Sequence, residues 1–337
     1  MRDGRGQSED GRGNQRKSVI PPIITKSSAM RSFLGRLRRF AQLERPVLLE
    51  GERGTGKTTY AELIHTQSPR ASGPFVRVNL ASLSDGVAIT ELFGHVKGAY
   101  TSAIGTRPGL LRAAAGGTIL LDEIGKASLD VQRGLLPVLD RRMIRPVGAD
   151  REEPIDVRLV FACNEDRERL VHSGAMLADF KDRLGFFHAR IPRLRDRVDD
   201  LPELTEQFVS QAAAADPRYT EGPPRVTPGL LRRLAAYDWP GNVRELESLC
   251  ERLVADADGS PILSESLLAE ELAIYTEIRV EERPNGRMPT VAEVHAAIRE
   301  CGGNLTKAAL KLGIGRTTLY RILSAKRDYP EERQPPA

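Results

Sequence analysis

The chain has 337 residues, too long for one simple core and of a size for two or three domains. Its 40% hydrophobic and 28% charged residues are ordinary for a soluble globular protein. No run of about eighteen residues is both apolar and uncharged, which rules out a membrane-spanning helix. Cys163, Cys250 and Cys301 are too scattered for a disulfide framework or a zinc cluster; they read as small buried hydrophobes in a reducing cytoplasm. The formal net charge of +4 permits nucleic-acid binding without arguing for it.

Residues 1–17 are polar, with no apolar core of a secretory signal, and cannot repay their ordering entropy. A disordered tail is expected there; a basic arm touching DNA is the alternative, diluted by Asp3, Glu9 and Asp10. From Ser28 to Leu43, Met30, Phe33, Leu34, Leu37, Phe40 and Ala41 recur at helical spacing. The short apolar run Pro46–Glu50 predicts a buried strand, followed by a glycine-rich turn and a helix. Strand-like runs recur at Phe75–Asn79, Thr118–Leu121 and Val157–Ala162, with helix-like stretches between them. That alternation predicts an α/β fold, a parallel sheet with helices on both faces. After about Arg197 the strand signals stop. Leu201–Leu272 reads as helices only, broken by Asp216–Thr227 and by Trp239–Asn242. Residues 276–289 read as a charged linker, residues 290–327 as a small helical unit, and the end of the chain as a Pro-rich tail.

Gly51, Glu52, Arg53, Gly54, Thr55, Gly56, Lys57 and Thr58 match the P-loop pattern in full, after a strand and before a helix, with Thr59 next in line. The glycines let backbone N–H groups turn inward around phosphate oxygens. Lys57 is expected to neutralise the β- and γ-phosphates of ATP, and the Thr58 hydroxyl to ligate Mg2+. Downstream, the apolar run Thr118–Leu121 ends in Asp122 and Glu123. By itself that is an ordinary solvated strand end. After a P-loop, Asp122 suits a role in holding Mg2+ and Glu123 in polarising the attacking water.

In this order the motifs resemble the sigma-54-dependent transcription activators, bacterial enhancer-binding proteins of the AAA+ ATPase class. The resemblance runs from about Ser28 to Lys326. It rests on Gly51–Thr58, Pro74–Asn79, Glu91–Ala103, Gly116–Ile124, Asp156–Arg158 and Trp239–Leu246. It implies an AAA+ α/β subdomain over 21–197 after a tail at 1–20, and a helical lid over 198–275. A Fis-type helix-turn-helix domain over 290–327 follows the linker, with a tail at 328–337. It also implies a ring oligomer, commonly a hexamer, with ATP held between subunits. Asn79 matches the asparagine that couples to the Walker B glutamate, and Asn164 matches sensor I. Arg244 matches the sensor II arginine of the lid, and Arg183 an arginine reaching into the neighbour's site. Arginine suits that task because its charge is permanent and its fork fits phosphate oxygens.

Two departures stand out. The family's signature loop, which contacts sigma-54, is Gly-Ala-Phe-Thr-Gly-Ala; here it is Gly98-Ala99-Tyr100-Thr101-Ser102-Ala103. Tyr100 and Thr101 keep the aromatic ring and hydroxyl, whereas Ser102 gives up a glycine's freedom at φ > 0. The family also has a first arginine upstream of Arg183, where this chain has Leu177. Losing that charge is expected to slow hydrolysis or weaken coupling between subunits.

The C-terminal unit carries seven Lys+Arg against two acids over Met288–Arg327, a net charge of +5. A helix over Thr290–Glu300 is expected to stop at Gly302-Gly303. Asn304 would cap Leu305–Leu312, Gly313–Gly315 would form the turn, and Arg316–Ala325 the last helix. Arg316, Thr317, Thr318, Tyr320 and Arg321 are then placed to face duplex DNA; a solvated interaction module is the alternative. Fewer than thirty residues precede the expected ATPase domain, so no N-terminal regulatory domain is expected, and regulation would come from a partner protein in trans, from expression level or from the ring itself. Two functions therefore stand. One is an ATP-hydrolysing activator that remodels sigma-54 RNA polymerase while tethered to DNA. The other is a DNA-binding regulator whose AAA+ domain drives nucleotide-gated assembly without touching sigma-54.

Overall fold

The computed structural model describes residues 23, 25–100, 103, 105–267, 290–300 and 312. The expected N-terminal tail, the 276–289 linker and the helix expected at Arg316–Ala325 lie outside them, as does Leu305–Leu312 apart from its last residue. The chain divides into two compact units. One runs to Thr205 and includes Tyr237–Ser248; the other comprises Glu206–Ala236 and the chain from Leu249 onward.

The first unit opens with α1 (Ser28–Ala41), which buries Met30, Phe33, Leu34, Leu37 and Ala41 along one face. Ser27 caps it by accepting from the Met30 amide, and the buried Asp200 accepts from the Thr25 hydroxyl and from the Lys26 and Ser27 amides. Then come β1 (Val47–Glu50), α2 (Lys57–Thr66), β2 (Phe75–Asn79) and α3 (Asp85–Phe93). A two-residue antiparallel ladder of β3 (Gly94–His95) and β4 (Arg107–Pro108) follows, then α4 (Leu110–Ala113), β5 (Thr118–Asp122) and α5 (Leu129–Arg141). A second such ladder joins β6 (Met143–Ile144) to β7 (Glu153–Pro154). The unit continues with β8 (Arg158–Cys163), α6 (Arg167–His172), α7 (Ala178–Leu184) and β9 (His188–Arg190).

Five strands form one parallel sheet in the order β2-β5-β8-β1-β9. Alternate residues of the central strands feed two cores. Leu48, Ile119, Leu121 and Phe161 join α3, α5 and α7 on one face, while Val47, Leu49, Leu120 and Val160 join α1 and α2 on the other. Burial on both faces explains why these strands read as continuous apolar runs. Strand β9 left no such signal: its three residues are exposed, buried and exposed.

Beyond it lie α8 (Leu201–Ala214), β10 (Arg225–Val226), α9 (Pro228–Ala235), α10 (Asn242–Asp256), β11 (Ile262–Leu263) and α11 (Val291–Glu300). The helices-only reading of Leu201–Leu272 is corrected here. Strands β10 and β11 pair in parallel, Arg225 opposite Ile262, and two residues are too few to set up a period in the sequence. Thr290 and Glu293 form a reciprocal capping box at the start of α11, the Glu293 carboxylate accepting from the Thr290 amide at 2.7 Å. Cys163 and Cys250 are buried free thiols; Cys301 lies outside the described residues.

Arg158 fixes how α1 ends. It is 2% exposed, and its Nη1 and Nη2 donate to the Ala41 and Phe40 carbonyls at 2.7 and 2.6 Å. Burial pushes its pKa down to about 10. Removing the side chain orphans two terminal helix carbonyls but also removes a desolvated charge. We therefore expect Arg158→Leu to destabilise the unit by about 2–4 kcal/mol in urea denaturation, the balance between two charge-assisted hydrogen bonds and the relief of burial.

His65 supplies a pH dependence. It is buried, with Nδ1 3.0 Å from the Thr118 hydroxyl and its ring 5.2 Å from that of Phe75. Burial first, and the nearby Arg158 charge second, lower its pKa below the ordinary 6.5. The folded state therefore prefers the neutral ring. The associated stability is present above pH 6.5 and is lost as pH falls below that value toward the folded pKa. Chemical denaturation from pH 7.5 to 5 should show this loss, and His65→Asn should reduce it; an unchanged pH slope in that variant would refute the assignment.

Candidate nucleotide site

The phosphate-binding loop follows β1, a central strand of the sheet. The Gly51 amide donates to the Cys163 carbonyl, which ties the loop's start to the end of β8. Gly54 and Gly56 have φ of +75° and +95°, open to glycine at little cost. Thr55 is buried, and its hydroxyl donates to the Glu52 carbonyl at 2.9 Å. Gly56 is the N-cap of α2, so Lys57, Thr58 and Thr59 form its first turn, where helix amides converge. Lys57 Nζ donates to the carbonyls of Gly51 and Glu52 at 2.8 and 3.0 Å.

Charges meet around Lys57. Burial lowers its pKa; the carboxylates of Asp122 and Glu123 oppose that fall, and the guanidinium of Arg244 adds to it. Asp122 ends β5, and its Oδ1 accepts from the Glu123 amide at 2.8 Å. Glu123 holds a left-handed backbone, φ 54° and ψ 46°, uncommon for a non-glycine residue and a frequent mark of functional positions. Its carboxylate lies 4.0 Å from Arg53 Nη2. Asn79 stands opposite Asp122 in the β2–β5 register, its Oδ1 accepting from the Ala81 amide. Asn164 follows β8 directly. Its Oδ1 is buried with no hydrogen-bond partner and lies beside a cavity of about 400 Å³ lined also by Gly51, Glu52 and Arg193.

These residues fit a nucleoside triphosphate with its metal ion. Left-handed glycines, a half-buried lysine, an orphaned polar oxygen and a carboxylate pair are all carried by the carboxyl ends of adjacent parallel strands and the loops that follow them.

Three family models match in tandem. They are the Sigma-54 interaction domain over residues 23–190, the AAA+ ATPase lid domain over 195–281 and the Fis-family bacterial regulatory domain over 293–324. The transcriptional regulatory protein GlrR of Escherichia coli K12 is 35% identical over 311 residues, covering 90% of this chain and 67% of GlrR. The Nif-specific regulatory protein of Enterobacter agglomerans is 40% identical, covering 89% of this chain and 59% of its own length. The crystal structure of NtrX from Brucella abortus in complex with ATP superposes with a TM-score of 0.66 at 29% identity, covering 90% of this chain and 68% of NtrX. The chain belongs to the sigma-54-dependent transcription activators. It carries their AAA+ ATPase domain, lid and Fis-type helix-turn-helix.

In this activator the lid helix α10 begins against the P-loop. Asn242 is fully buried; its Nδ2 donates to the Arg53 carbonyl at 3.0 Å and to Glu52 Oε2 at 3.2 Å, and its Oδ1 accepts from the Leu194 amide at 2.9 Å. The Arg244 amide donates to the Gly54 carbonyl, which brings its side chain to the site. Glu52 turns to Asn242 and Arg195, with Arg193 at 3.7 Å. Burial opposes its charge, but the Asn242 and Arg195 hydrogen bonds and the two arginine charges outweigh it and hold the carboxyl below its usual pKa. The side chain of Glu52 thus braces the loop. Sequence reasoning gave Asn242 no role, although an asparagine after Pro-Gly at a helix start was the available signal.

The structure keeps Arg183 apart from the loop of its own chain. It sits on α7, bound to Asp140 and Asp179, and hydrogen bonding to Asp140 first and Asp179 second raises its pKa. Leu177, in place of the family's other arginine, packs against the core, while its amide donates to Oε1 of the buried Gln132 at 2.9 Å. The activator's signature loop rises from the β3–β4 ladder. Gly98 takes φ +82°, its amide donates to the Ala103 carbonyl, and Tyr100 is half exposed with its ring against His95. Thr101 and Ser102 lie outside the described residues, as do Arg316, Thr317, Thr318, Tyr320 and Arg321.

Asn242→Ala should remove three hydrogen bonds, one of them fully buried, and leave the Leu194 amide unpaired. The expected cost is about 2–4 kcal/mol of stability in urea and a weaker hold on ATP in equilibrium titration. Wild-type values for both would show that Asn242 does not couple α10 to the loop.

Proposed function

We propose that this activator hydrolyses ATP at the P-loop and uses the conformational change to remodel sigma-54 RNA polymerase while its Fis-type unit holds duplex DNA. The observation that carries the reading is the meeting at Lys57 of the P-loop carbonyls with the charges of Asp122, Glu123 and Arg244, in one unit that also exposes Tyr100. ATP with Mg2+ supplies the phosphoanhydride bond to be cleaved. Gly51–Gly56 cradle its phosphates through backbone amides, Lys57 offsets their charge, and Thr58 and Asp122 hold the metal ion. Glu123 accepts a proton from the attacking water, and Asn79 and Asn164 sense the state of the site. Arg244 acts from α10, and Arg183 acts on the neighbouring subunit's nucleotide in a ring, taken as a hexamer. Tyr100 and Thr101 form the sigma-54 contact. Arg316, Thr317, Thr318, Tyr320 and Arg321 read DNA, and the protein works in the cytoplasm. Among the described residues no helix is long and apolar enough to cross a membrane.

The deciding experiment is ATP-dependent open-complex formation with purified sigma-54 polymerase on duplex DNA. Lys57→Ala should abolish ATP binding. Glu123→Gln should bind ATP but lose turnover by roughly a hundredfold or more, because a general base contributes about that much and is not needed to hold phosphate. Tyr100→Ala should hydrolyse ATP at near the wild-type rate yet form no open complex. If it supports open complexes fully, the loop is not the contact, and nucleotide-gated assembly without sigma-54 becomes the better reading.

A further inference from the structure

The side chain of Arg183 is fixed on two of its edges before any neighbour arrives. Its Nε donates to Asp140 Oδ1 at 2.6 Å, and its Nη1 donates to the Asp179 carbonyl at 3.1 Å and pairs with the Asp179 carboxylate. Its Nη2 makes no hydrogen bond among the described residues. The two acids are not equivalent. Asp179 lies one turn back on α7, where an i,i+4 pair forms whichever way the helix points. Asp140 comes from the last turn of α5, a different element, so it selects the direction in which the guanidinium leaves α7.

The elements carrying these two residues are held together independently. Gln132 on α5 is fully buried, its Nε2 donating to the Ala127 and Ala175 carbonyls and its Oε1 accepting from the Leu177 amide at the start of α7. The α5–α7 spacing is therefore set in the core, and the Asp140–Arg183 pair is a surface addition to it. At 31% and 40% exposure the two side chains are too wet for their pairing to stabilise the fold by much. What the pair does is orient. A free arginine side chain spreads over many rotamers and loses about 2 kcal/mol of entropy on being placed. Pairing at Nε and Nη1 restricts it beforehand and leaves the Nη2 edge for an anion. Leu177 raises the importance of this, because the chain has no second arginine there.

We propose that Asp140 is a positioning residue for ATP hydrolysis, aiming Arg183 at the nucleotide of the adjoining subunit. The inference rests on the reading of Arg183 as a residue acting in trans.

The test uses full-length protein, steady-state ATP hydrolysis at saturating protein, and oligomer mass by light scattering. Asp140→Ala should lower kcat by roughly tenfold, within the range that a small misplacement of a reacting group costs, and leave the KM for ATP and the assembled mass unchanged. Asp140→Glu should restore part of the loss. The decisive comparison is made in an Arg183→Ala background, where Asp140→Ala should cost nothing further, because the residue it aims is gone. A wild-type or raised kcat in Asp140→Ala overturns the inference, the raised value marking Asp140 as a restraint. An equal fall in both backgrounds also overturns it, since Asp140 would then act on the fold. If Arg183→Ala itself retains full kcat, the trans reading fails first and takes this inference with it.

Discussion

The carbonyl oxygen of Gly241 lies 1.9 Å from where a Cβ on Gly54 would stand. Backbone touches backbone there, and no side chain can intervene. The rest of the nucleotide site is arranged around that contact. Gly54 reaches it by taking φ +75°, Asn242 seals it from one side by bonding both the loop and Leu194, and Glu52 is drawn in by Arg193 and Arg195. The loop that must close around phosphates and the helix that carries Arg244 thus share a joint with no slack. The joint rests on two glycines and an asparagine.

Polar groups fall into two energetic classes. Arg158, Asp200, Gln132 and Asn242 are buried, and each binds backbone groups of a segment distant in sequence. Losing any of them strands a desolvated partner, so they fix the geometry. Tyr100 and Arg53 are exposed, with resting contacts worth a few tenths of a kcal/mol up to about one. Groups that must exchange partners during a cycle belong in this second class, because a strong resting contact would have to be broken at every turnover. The buried set holds the frame, and the exposed set is free to change partners on it.

How legible this was depended on length and on burial. Strands β1, β2, β5 and β8 appear in the sequence within a residue or so of their observed ends; burial on both faces leaves unbroken apolar runs in β1, β5 and β8, while the edge strand β2 alternates around the exposed Arg77. Strand β9 did not appear, having one buried residue among three, and neither did β10 and β11, whose pairing is a tertiary event between residues 225 and 262. The glycine pattern of the P-loop and the strand-end acids marked the candidate nucleotide site in the sequence, since phosphate binding needs those residue types in consecutive order. Gln132 and Asp140 were invisible as contributors, and Asn242 showed only as an asparagine at a helix start, with nothing to name its partners. Their partners lie 40 residues or more away, and only the fold brings them together.

Asn79 and Glu123 illustrate what the fold adds to a motif. The register of β2 and β5 sets Asn79 against Asp122, one residue from Glu123. Yet the Asn79 carboxamide is already committed on one side, its Oδ1 accepting from the Ala81 amide at 2.9 Å to cap the short turn Leu80–Ser82. That bond fixes which end of the amide is which, because a backbone N–H needs the oxygen. Only Nδ2, a donor, is left for another partner. A carboxylate accepts and cannot donate, so Glu123 has the right polarity for that remaining site, while its resting neighbour Arg53, at 4.0 Å and largely exposed, is held only loosely. The left-handed backbone of Glu123 thus carries a carboxylate held by one loose contact, next in sequence to the residue that Asn79 faces across the sheet.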